Sequence, residues 1–272
     1  MFTLKDDELQ KLAKFLHRQS GLFLSAQKLQ RLKRKILDVF REHNIENFSN
    51  FYHRVKHLHE DALIQDLISA VTINETYFWR EHAQFELLIR EVLPDYIESK
   101  KLNTVRILVA PCSSGEEVYS VMLAILTKPI LLEKLNIELV GVDIDSKMIE
   151  KAKRGLYSKR SVAKLPKNLL ETYFTKIGEF YKIDDNLRKN AHFEQVNIFD
   201  AEATLVLGKF DVLFSRNMLI YFNEQDKQRS FEIFYNLLHQ KGYLFLGHAD
   251  ANSLKKEFFV PLKKGKHLYK KV

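Results

Sequence analysis

"VAPCSSGEEVYS", residues 109–120, decides how the rest of the chain is read. It ends the apolar, β-branched run "TVRILVA" (104–110) and opens the longer stretch "GEEVYSVMLAILTK". A short apolar run bounded by small residues reads as a buried strand, and the longer stretch after it as a helix. The turn between them can bring backbone close to a ligand, at a helix start rich in free N–H groups. A diphosphate-binding turn would read G-x-G-x-x-G. Here Gly115 stands alone, and Glu116 and Glu117 follow where phosphates would sit. Two carboxylates repel an anion, so the ligand is uncharged or positive in this region. Acids in a first helical turn are also favoured by the helix dipole alone, so this motif needs company.

The grammar continues on both sides. Downstream come the strand "IELVGVD" (137–143), the helix "DSKMIEKAKRG", the run "AHFEQVNIF", the strand "FDVLFSRN" (210–217), the helix "EQDKQRSFEIFYNLLHQ" and the strand "GYLFLGH" (242–248). Upstream, "QFELLIREVLPDYIESKK" reads as a helix. Alternating strands and helices mean βαβ units and a mostly parallel, doubly wound α/β sheet, with ligands at the carboxyl ends of the strands. Residues 156–190 break the alternation, and "YFTKIGEFYKIDDNLRKN" suggests a small antiparallel β excursion turning at Gly178. Residues 5–71 carry helical spacing throughout. Leu9, Leu12, Phe15 and Leu16 share one face, with Gly21 as a stop; Ser25 caps a helix with Leu29, Leu32, Ile36 and Phe40 inward and Lys28, Arg31, Arg34 and Lys35 opposite.

The chain has 272 residues, 46% hydrophobic and 29% charged, with a formal net charge of +8. The basicity sits at the ends: residues 1–60 hold 12 Lys/Arg against 7 Asp/Glu, and residues 254–272 hold 7 Lys against 1 Glu. The middle is slightly acidic, which argues against a core built to grip nucleic acid. The basic ends suit an acidic protein surface, a membrane face or RNA, or are solvated surface. No apolar run approaches the roughly 18 residues of a membrane span. The start, "MFTLKDDELQ", does not resemble a signal peptide, and the lone Cys112 fits a reducing compartment. These features make a cytoplasmic protein the expectation. The ten histidines are scattered without Cys pairs, so no metal is expected.

Several strand ends carry polar residues. "GVDID" places Asp143 where an acid accepts the two ribose hydroxyls of a nucleoside, with Asp145 as the cap of the next helix. Together with the acidic turn, this suggests a phosphate-free nucleoside with a positive centre, a description that S-adenosylmethionine fits. "VNIFD" sets Asn197 and Asp200 where adenine could bind, and "FSRNMLIYF" sets Arg216, Asn217 and Tyr221 in the loop after the fourth strand. "TINETYFWRE" (72–81) is a hinge with an aromatic staple or a lid whose Asn74, Thr76 and Arg80 reach the ligand. Cys112 reads as packing.

"NETYFWRE", "CSSGEEVYS", "DIDSKMIEKAKRGLYS", "FDVLFSRNMLIYF" and "GYLFLGHAD", in that order, resemble the chemotaxis receptor methyltransferases, the CheR family. The resemblance covers about residues 1–255. It implies an S-adenosylmethionine-dependent methyltransferase (Rossmann-like) domain with a small antiparallel β insertion, preceded by a small all-α N-terminal domain. The corresponding boundaries are 1–72 for the helical receptor-docking domain, 73–83 for the linker or lid, and 84–272 for the methyltransferase domain with 156–190 inserted. The activity implied is methyl transfer to glutamate side chains of chemoreceptor cytoplasmic helices, giving γ-methyl esters and S-adenosylhomocysteine. By position, the cofactor contacts fall on Asn74, Thr76, Arg80, Glu116, Asp143, Asn197, Ile198, Arg216 and Asn217; the choice between Glu116 and Glu117 stays open. Arg80 and Tyr221 fall beside the transferring methyl and take the catalytic roles. Lys28, Arg31, Arg34 and Lys35 become the substrate-docking residues. Pro111 replaces a small residue of the family's turn and removes one N–H. The short, glycine-poor loop at Gly178 argues against tethering of a receptor peptide by strand addition.

The partners implied are methyl-accepting chemotaxis receptors, with no nucleic acid, no stable membrane insertion and a monomeric chain. Two alternatives stand beside this reading: a nucleic-acid methyltransferase, which the pI near 9.3 prompts but the missing Asn/Asp-Pro-Pro-Tyr motif opposes, and a non-catalytic S-adenosylmethionine-responsive receptor-binding module.

Overall fold

Four amphipathic helices begin the chain: α1 (Asp6–Ser20), α2 (Ala26–Glu42), α3 (Phe48–His57) and α4 (Asp61–Val71). Their ends follow local chemistry. Ser25 accepts the Lys28 N–H, Asn47 accepts the Asn50 N–H, and Gly21 closes α1 with φ 73°, the left-handed region that glycine enters without strain. Leu9, Leu12, Leu16, Leu29, Ile36, Phe40, Phe51, Leu63 and Leu67 fill the bundle, while Phe15 and Leu32 are partly buried at its margin. The computed structural model describes residues 3–99, 103–251, 254, 257–262 and 267–272.

After a linker, α5 (Ala83–Leu87) runs through a π turn (Leu88–Val92) into α6 (Leu93–Glu98). Pro94, near the start of α6, has no N–H to give back to the preceding turn, and the wider π turn absorbs that break. The alternating part follows: β1 (Thr104–Val109), α7 (Glu116–Leu126), α8 (Pro129–Lys134), β2 (Asn136–Asp143) and α9 (Ser146–Arg154). The inserted segment holds β3 (Leu156–Ser158), α10 (Lys159–Val162), α11 (Lys167–Tyr173), β4 (Phe174–Ile177), β5 (Phe180–Ile183) and α12 (Asp185–Lys189). The chain then returns through β6 (Ala191–Gln195), α13 (Ala201–Leu205), β7 (Phe210–Ser215), a 3-10 turn (Leu219–Tyr221), α14 (Glu224–Leu237), β8 (Leu238–Leu246), β9 (Phe259–Pro261) and β10 (Leu268–Lys271).

The large sheet has the order β6-β2-β1-β7-β8-β10-β9. Its first five strands are parallel; β10 runs antiparallel to β8, and β9 to β10. The α/β expectation therefore holds, as does the insertion: β3, β5 and β4 form a separate antiparallel sheet. Its hairpin turns at Gly178, which takes φ 59° between the paired Ile177 and Phe180.

Two details differ from the sequence expectation. The last helix stops at Leu237 because Leu238 already pairs with Phe210, so β8 begins four residues earlier than expected. The C-terminal pair β9–β10 was not anticipated: two strands of three and four residues are too short for an alternation to stand out. Of the seven basic residues near the C-terminus, Lys255, Lys256, Lys263, Lys264 and Lys266 lie outside the described residues, while Lys270 and Lys271 belong to β10.

Both faces of the sheet are covered, as parallel strands require. One apolar cluster joins α5 to α9 and the insertion to strand residues such as Ile107, Val109 and Phe214. On the other face, Leu108, Val140, Leu213 and Leu244 pack with α14 and continue into the core of the helical bundle. The N-terminal bundle is thus packed against the sheet domain and not a free appendage. Polar contacts fix the same interface: His17 to Asp226 at 2.7 Å, Lys147 to Asp66 at 2.9 Å, and the Phe23 N–H to the Tyr221 carbonyl at 2.9 Å.

Candidate functional site

A cavity of about 470 Å³ opens at the carboxyl ends of β1, β2, β6 and β7. The location is the place where strand order reverses, with β2 on one side of β1 and β7 on the other. Its floor is Ala110 to Ser113, Val142 to Ile144, Val196 to Phe199 and Arg216 to Met218. The linker residues from Thr72 to Tyr77, together with Arg80, form one wall; Ser20, Leu22 and Lys28 of the helical bundle, with Ile220 to Phe222, form the other. The size suits a nucleoside-class ligand.

Asp143, at the end of β2, is buried, and its two oxygens accept the N–H groups of Ser113 at 2.8 Å and Asp145 at 2.9 Å. Burial pushes its carboxyl up to about 6, against the pull of those two amides. Each oxygen keeps acceptor capacity for a hydroxyl group. The turn before α7 depends on Gly115 at φ 90°, where an added Cβ would lie 2.9 Å from the Ala152 Cβ. Pro111 lines the cavity, and the main chain beyond it rejoins the ladder: Cys112 N–H donates to the Val142 carbonyl at 2.8 Å. Burial pushes the Cys112 thiol well up, consistent with packing.

The two glutamates that the sequence left undecided diverge. Glu117 lines the cavity and takes the Arg216 guanidinium at 2.7 Å. Arg216 also donates to the Arg80 carbonyl at 2.8 Å and lies over the Phe85 ring. Burial pushes the Glu117 carboxyl up, against the opposing pull of Arg216. Glu116 does not line the cavity. Its buried carboxylate accepts the hydroxyls of Ser114 at 2.7 Å and Ser161 at 2.8 Å, joining the turn before α7 to α10 of the insertion. The assignment of a ligand contact to Glu116 therefore has no geometric support.

The other residues singled out in the sequence come together at the cavity: Asn74, Thr76, Arg80, Asn197, Ile198, Arg216, Asn217 and Tyr221 all line it. Several are already committed. Asn74 donates its amide to Asp145 at 2.7 Å, and Asn197 donates its amide to the Gln19 carbonyl at 2.8 Å. Asn217 takes φ 60°, a left-handed conformation asparagine tolerates better than most residues. Arg80 lies 5.6 Å from the Tyr77 ring centroid.

Three features lay beyond the sequence reading. Asp145 caps α9 as expected, through the Lys147 N–H at 3.0 Å. It also accepts Ser69 at 2.7 Å, Thr72 at 3.1 Å and Asn74, so one buried carboxylate ties α4 and the linker to the sheet. Lys28 is half-buried at the cavity mouth, its ammonium 4.6 Å from the Tyr221 ring, and burial lowers its pKa. Arg31, Arg34 and Lys35 are exposed, and none has an ion-pair partner among the described residues. Asp250, buried just after β8, has its carboxyl pushed up to about 6 by burial, partly offset by the N–H groups of Asn217 to Ile220. The motif "GYLFLGHAD" contained Asp250, yet no local signal marked it as buried.

Comparison with known proteins bears on this geometry. Residues 74–266 match the family described as CheR methyltransferase, SAM binding domain, and residues 7–72 match CheR methyltransferase, all-alpha domain. The chain is 33% identical over 252 residues to chemotaxis protein methyltransferase 2 of Vibrio cholerae, covering 92% of this chain and 88% of that protein. It is 38% identical over 249 residues to the chemotaxis protein methyltransferase of Campylobacter jejuni, covering 91% and 90%. Chemotaxis protein methyltransferase 1 of Pseudomonas aeruginosa is 31% identical over 242 residues, covering 87% of each chain.

Proposed function

The chain belongs to the CheR methyltransferase family and is an S-adenosylmethionine-dependent enzyme; we propose that it methylates glutamate side chains on the cytoplasmic helices of chemotaxis receptors, giving γ-methyl esters. The observation that carries this reading is the strand-end cavity, one wall of which carries Lys28 of the cationic helix α2 against Tyr221.

The residues present fit the cofactor. Asp143 has acceptor capacity left for two ribose hydroxyls, and Val142, Ile144, Ile198 and Phe199 give apolar walls suited to adenine. Glu117 and Asp143 disfavour a diphosphate and tolerate a positive centre. In our reading Thr76, Arg80, Asn197, Arg216 and Asn217 complete the frame. Asn74, whose amide N–H is engaged elsewhere, serves through its acceptor oxygen; Asn197, whose oxygen also takes the Phe199 N–H at 3.1 Å, has one lone pair left to offer. Glu117 takes the place at the cavity first given to Glu116.

When bound, the cofactor supplies an electrophilic methyl group on a sulfonium. The protein needs no general base, because a glutamate side chain has a reference pKa near 4.3 and is ionised at neutral pH. Its task is to hold a carboxylate oxygen in line with the methyl, about 3 to 3.5 Å away, and to exclude water. One positive and one negative charge disappear as ester and thioether form, so a dry, weakly polar site favours the reaction. Arg216 pins Glu117, which keeps that acid from repelling the incoming carboxylate. Arg80 orients the substrate without fully neutralising it, and Tyr221 offers a hydroxyl near the reacting oxygen. Lys28 adds positive potential beside Tyr221.

Residues 1–72 act as the docking domain, 73–83 as the lid and 84–272 as the catalytic domain with 156–190 inserted. Arg31, Arg34 and Lys35 draw in an acidic receptor helix. We further propose a monomer working in the cytoplasm without nucleic acid. Among the described residues no helix is long and apolar enough to cross a membrane.

The test is incubation with methyl-labelled cofactor and either receptor cytoplasmic fragments or RNA. Base-labile label on receptor fragments is the expected result. Label on RNA alone, or cofactor binding with no transfer to any receptor fragment, would overturn the reading.

A further inference from the structure

The mouth of the cavity is apolar as well as basic. Phe23, Ile73 and Ile220 are 53%, 52% and 47% exposed, although this chain buries most of its large apolar side chains. They belong to three different segments: the α1–α2 connection, the linker and the loop after β7. They nevertheless lie on or beside the same cavity. Ile73 and Ile220 both line the cavity, and the Phe23 N–H is bonded to the Tyr221 carbonyl, next to Ile220. Lys28 stands over the Tyr221 ring at the same place. From there α2 carries Arg31 and Lys35 on the face of Lys28, three and seven residues further on; at 1.5 Å per residue Lys35 lies about 10 Å along the axis. Scattered exposed apolar residues need no explanation, but three around one opening mark a surface that something apolar covers.

We infer that Phe23, Ile73 and Ile220 form a specificity rim that seats the apolar face of an acidic, amphipathic substrate helix while its glutamate enters the cavity. This rests on the proposed receptor-glutamate reading and adds the feature that selects among glutamates. A helix can insert one side chain into a pocket and present only its i±3 and i±4 neighbours to the rim. Those positions meet Phe23 and Ile220, so the favoured glutamates have apolar or small residues one turn away. Acids about two turns away face Arg31 and Lys35. A charge-only surface would accept glutamates in any acidic helix; the rim rejects those whose neighbours are charged, because burying those neighbours against apolar side chains leaves them unpaired.

Phe23 is the residue to test, since it does not line the cofactor cavity and its backbone contact survives substitution. Full-length Phe23→Ser is compared with the parent in methyl transfer to a receptor cytoplasmic fragment. Roughly a tenfold rise in KM for the fragment is expected, with kcat and cofactor affinity unchanged, and Phe23→Leu restoring the parent value. The apolar term is not screened, so the salt dependence of KM keeps its slope in Phe23→Ser. Replacing the apolar residue one turn from the modified glutamate by Gln raises KM for the parent but adds little to Phe23→Ser. An unchanged KM in Phe23→Ser, or full additivity of the two changes, would refute the rim while leaving receptor methylation standing. If the parent transfers no methyl to any receptor fragment, the functional reading itself fails, and the rim with it.

Discussion

Asp143→Asn should weaken the cofactor strongly while leaving the fold as stable as before, or more so. Folding lifts the Asp143 carboxyl from 3.8 to about 6. That gap of roughly two units corresponds to about 3 kcal/mol by which the ionised side chain burdens the native state at pH 7. The sign follows from proton binding. The native protein holds this proton more tightly than the unfolded chain, so the contribution favours folding below pH 3.8 and is lost as pH rises through about 6. An amide carries no such burden. It does, however, turn an NH2 group toward one of the two backbone amides now bonded to Asp143, those of Ser113 and Asp145. One unmatched buried donor costs about 1–3 kcal/mol. The net effect lies between zero and about 2 kcal/mol in favour of the variant, so melting is unchanged or a few degrees higher at about 2–4 °C per kcal/mol. Binding moves the other way. Losing the charged acceptor for two ribose hydroxyls costs about 2–4 kcal/mol, or roughly 30–1000-fold in affinity. Titration calorimetry with S-adenosylhomocysteine and a thermal melt at pH 7.5 measure both quantities. The parent should also lose affinity about tenfold per unit as pH falls below 6, and the variant should not. Affinity within about threefold of the parent would refute the assignment of Asp143 as the ribose acceptor. A fall in melting temperature of more than about 3 °C would refute the balance of burial against hydrogen bonding.

Three further outcomes follow from the same geometry. Tyr221→Phe should lower kcat by roughly 10–100-fold, with cofactor affinity unchanged by calorimetry; an unaltered kcat would remove Tyr221 from the reaction. Arg216→Ala leaves the Glu117 carboxylate buried without its partner, and chemical denaturation should register a loss of about 3–5 kcal/mol, most of it recovered when Glu117→Gln is added. The triple change Arg31→Ala, Arg34→Ala, Lys35→Ala should cut kcat/KM for a receptor fragment about tenfold at low ionic strength, with the difference fading above about 0.5 M salt and the melting temperature unmoved.

Much of this was legible along the chain, because it is encoded by neighbours in sequence. The alternation of apolar runs and amphipathic stretches fixed β1, α7, β2, α9, β7 and β8. Ser25 and Asp145 as caps, Gly21 as a terminator and Gly178 as a hairpin turn each depend on a few adjacent residues. The acid at the end of β2 and the polar loop after β7 pointed to one cavity for the same reason: strand ends in a parallel sheet converge whatever the details of packing. What lay out of reach were choices made between surfaces distant in sequence. Glu116 and Glu117 sit one residue apart, about 100° around a helix, and what each one faces depends on the insertion and on Arg216.

The alternation of strands and helices, the helical N-terminus and the acids at the strand ends were thus determined by the sequence itself, since periodicity, capping and charge at strand ends act over a few residues. Tertiary structure alone decided that Asp145 gathers Ser69, Thr72 and Asn74, that Lys28 leaves the solvent face for the cavity, and that Ile73 and Ile220 line it while Phe23 is bonded to Tyr221 beside it. The reason is physical. A buried carboxylate, a half-buried lysine or an exposed apolar rim is defined by what packs against it, and those partners come from segments up to about 200 residues apart that only the closed fold brings together.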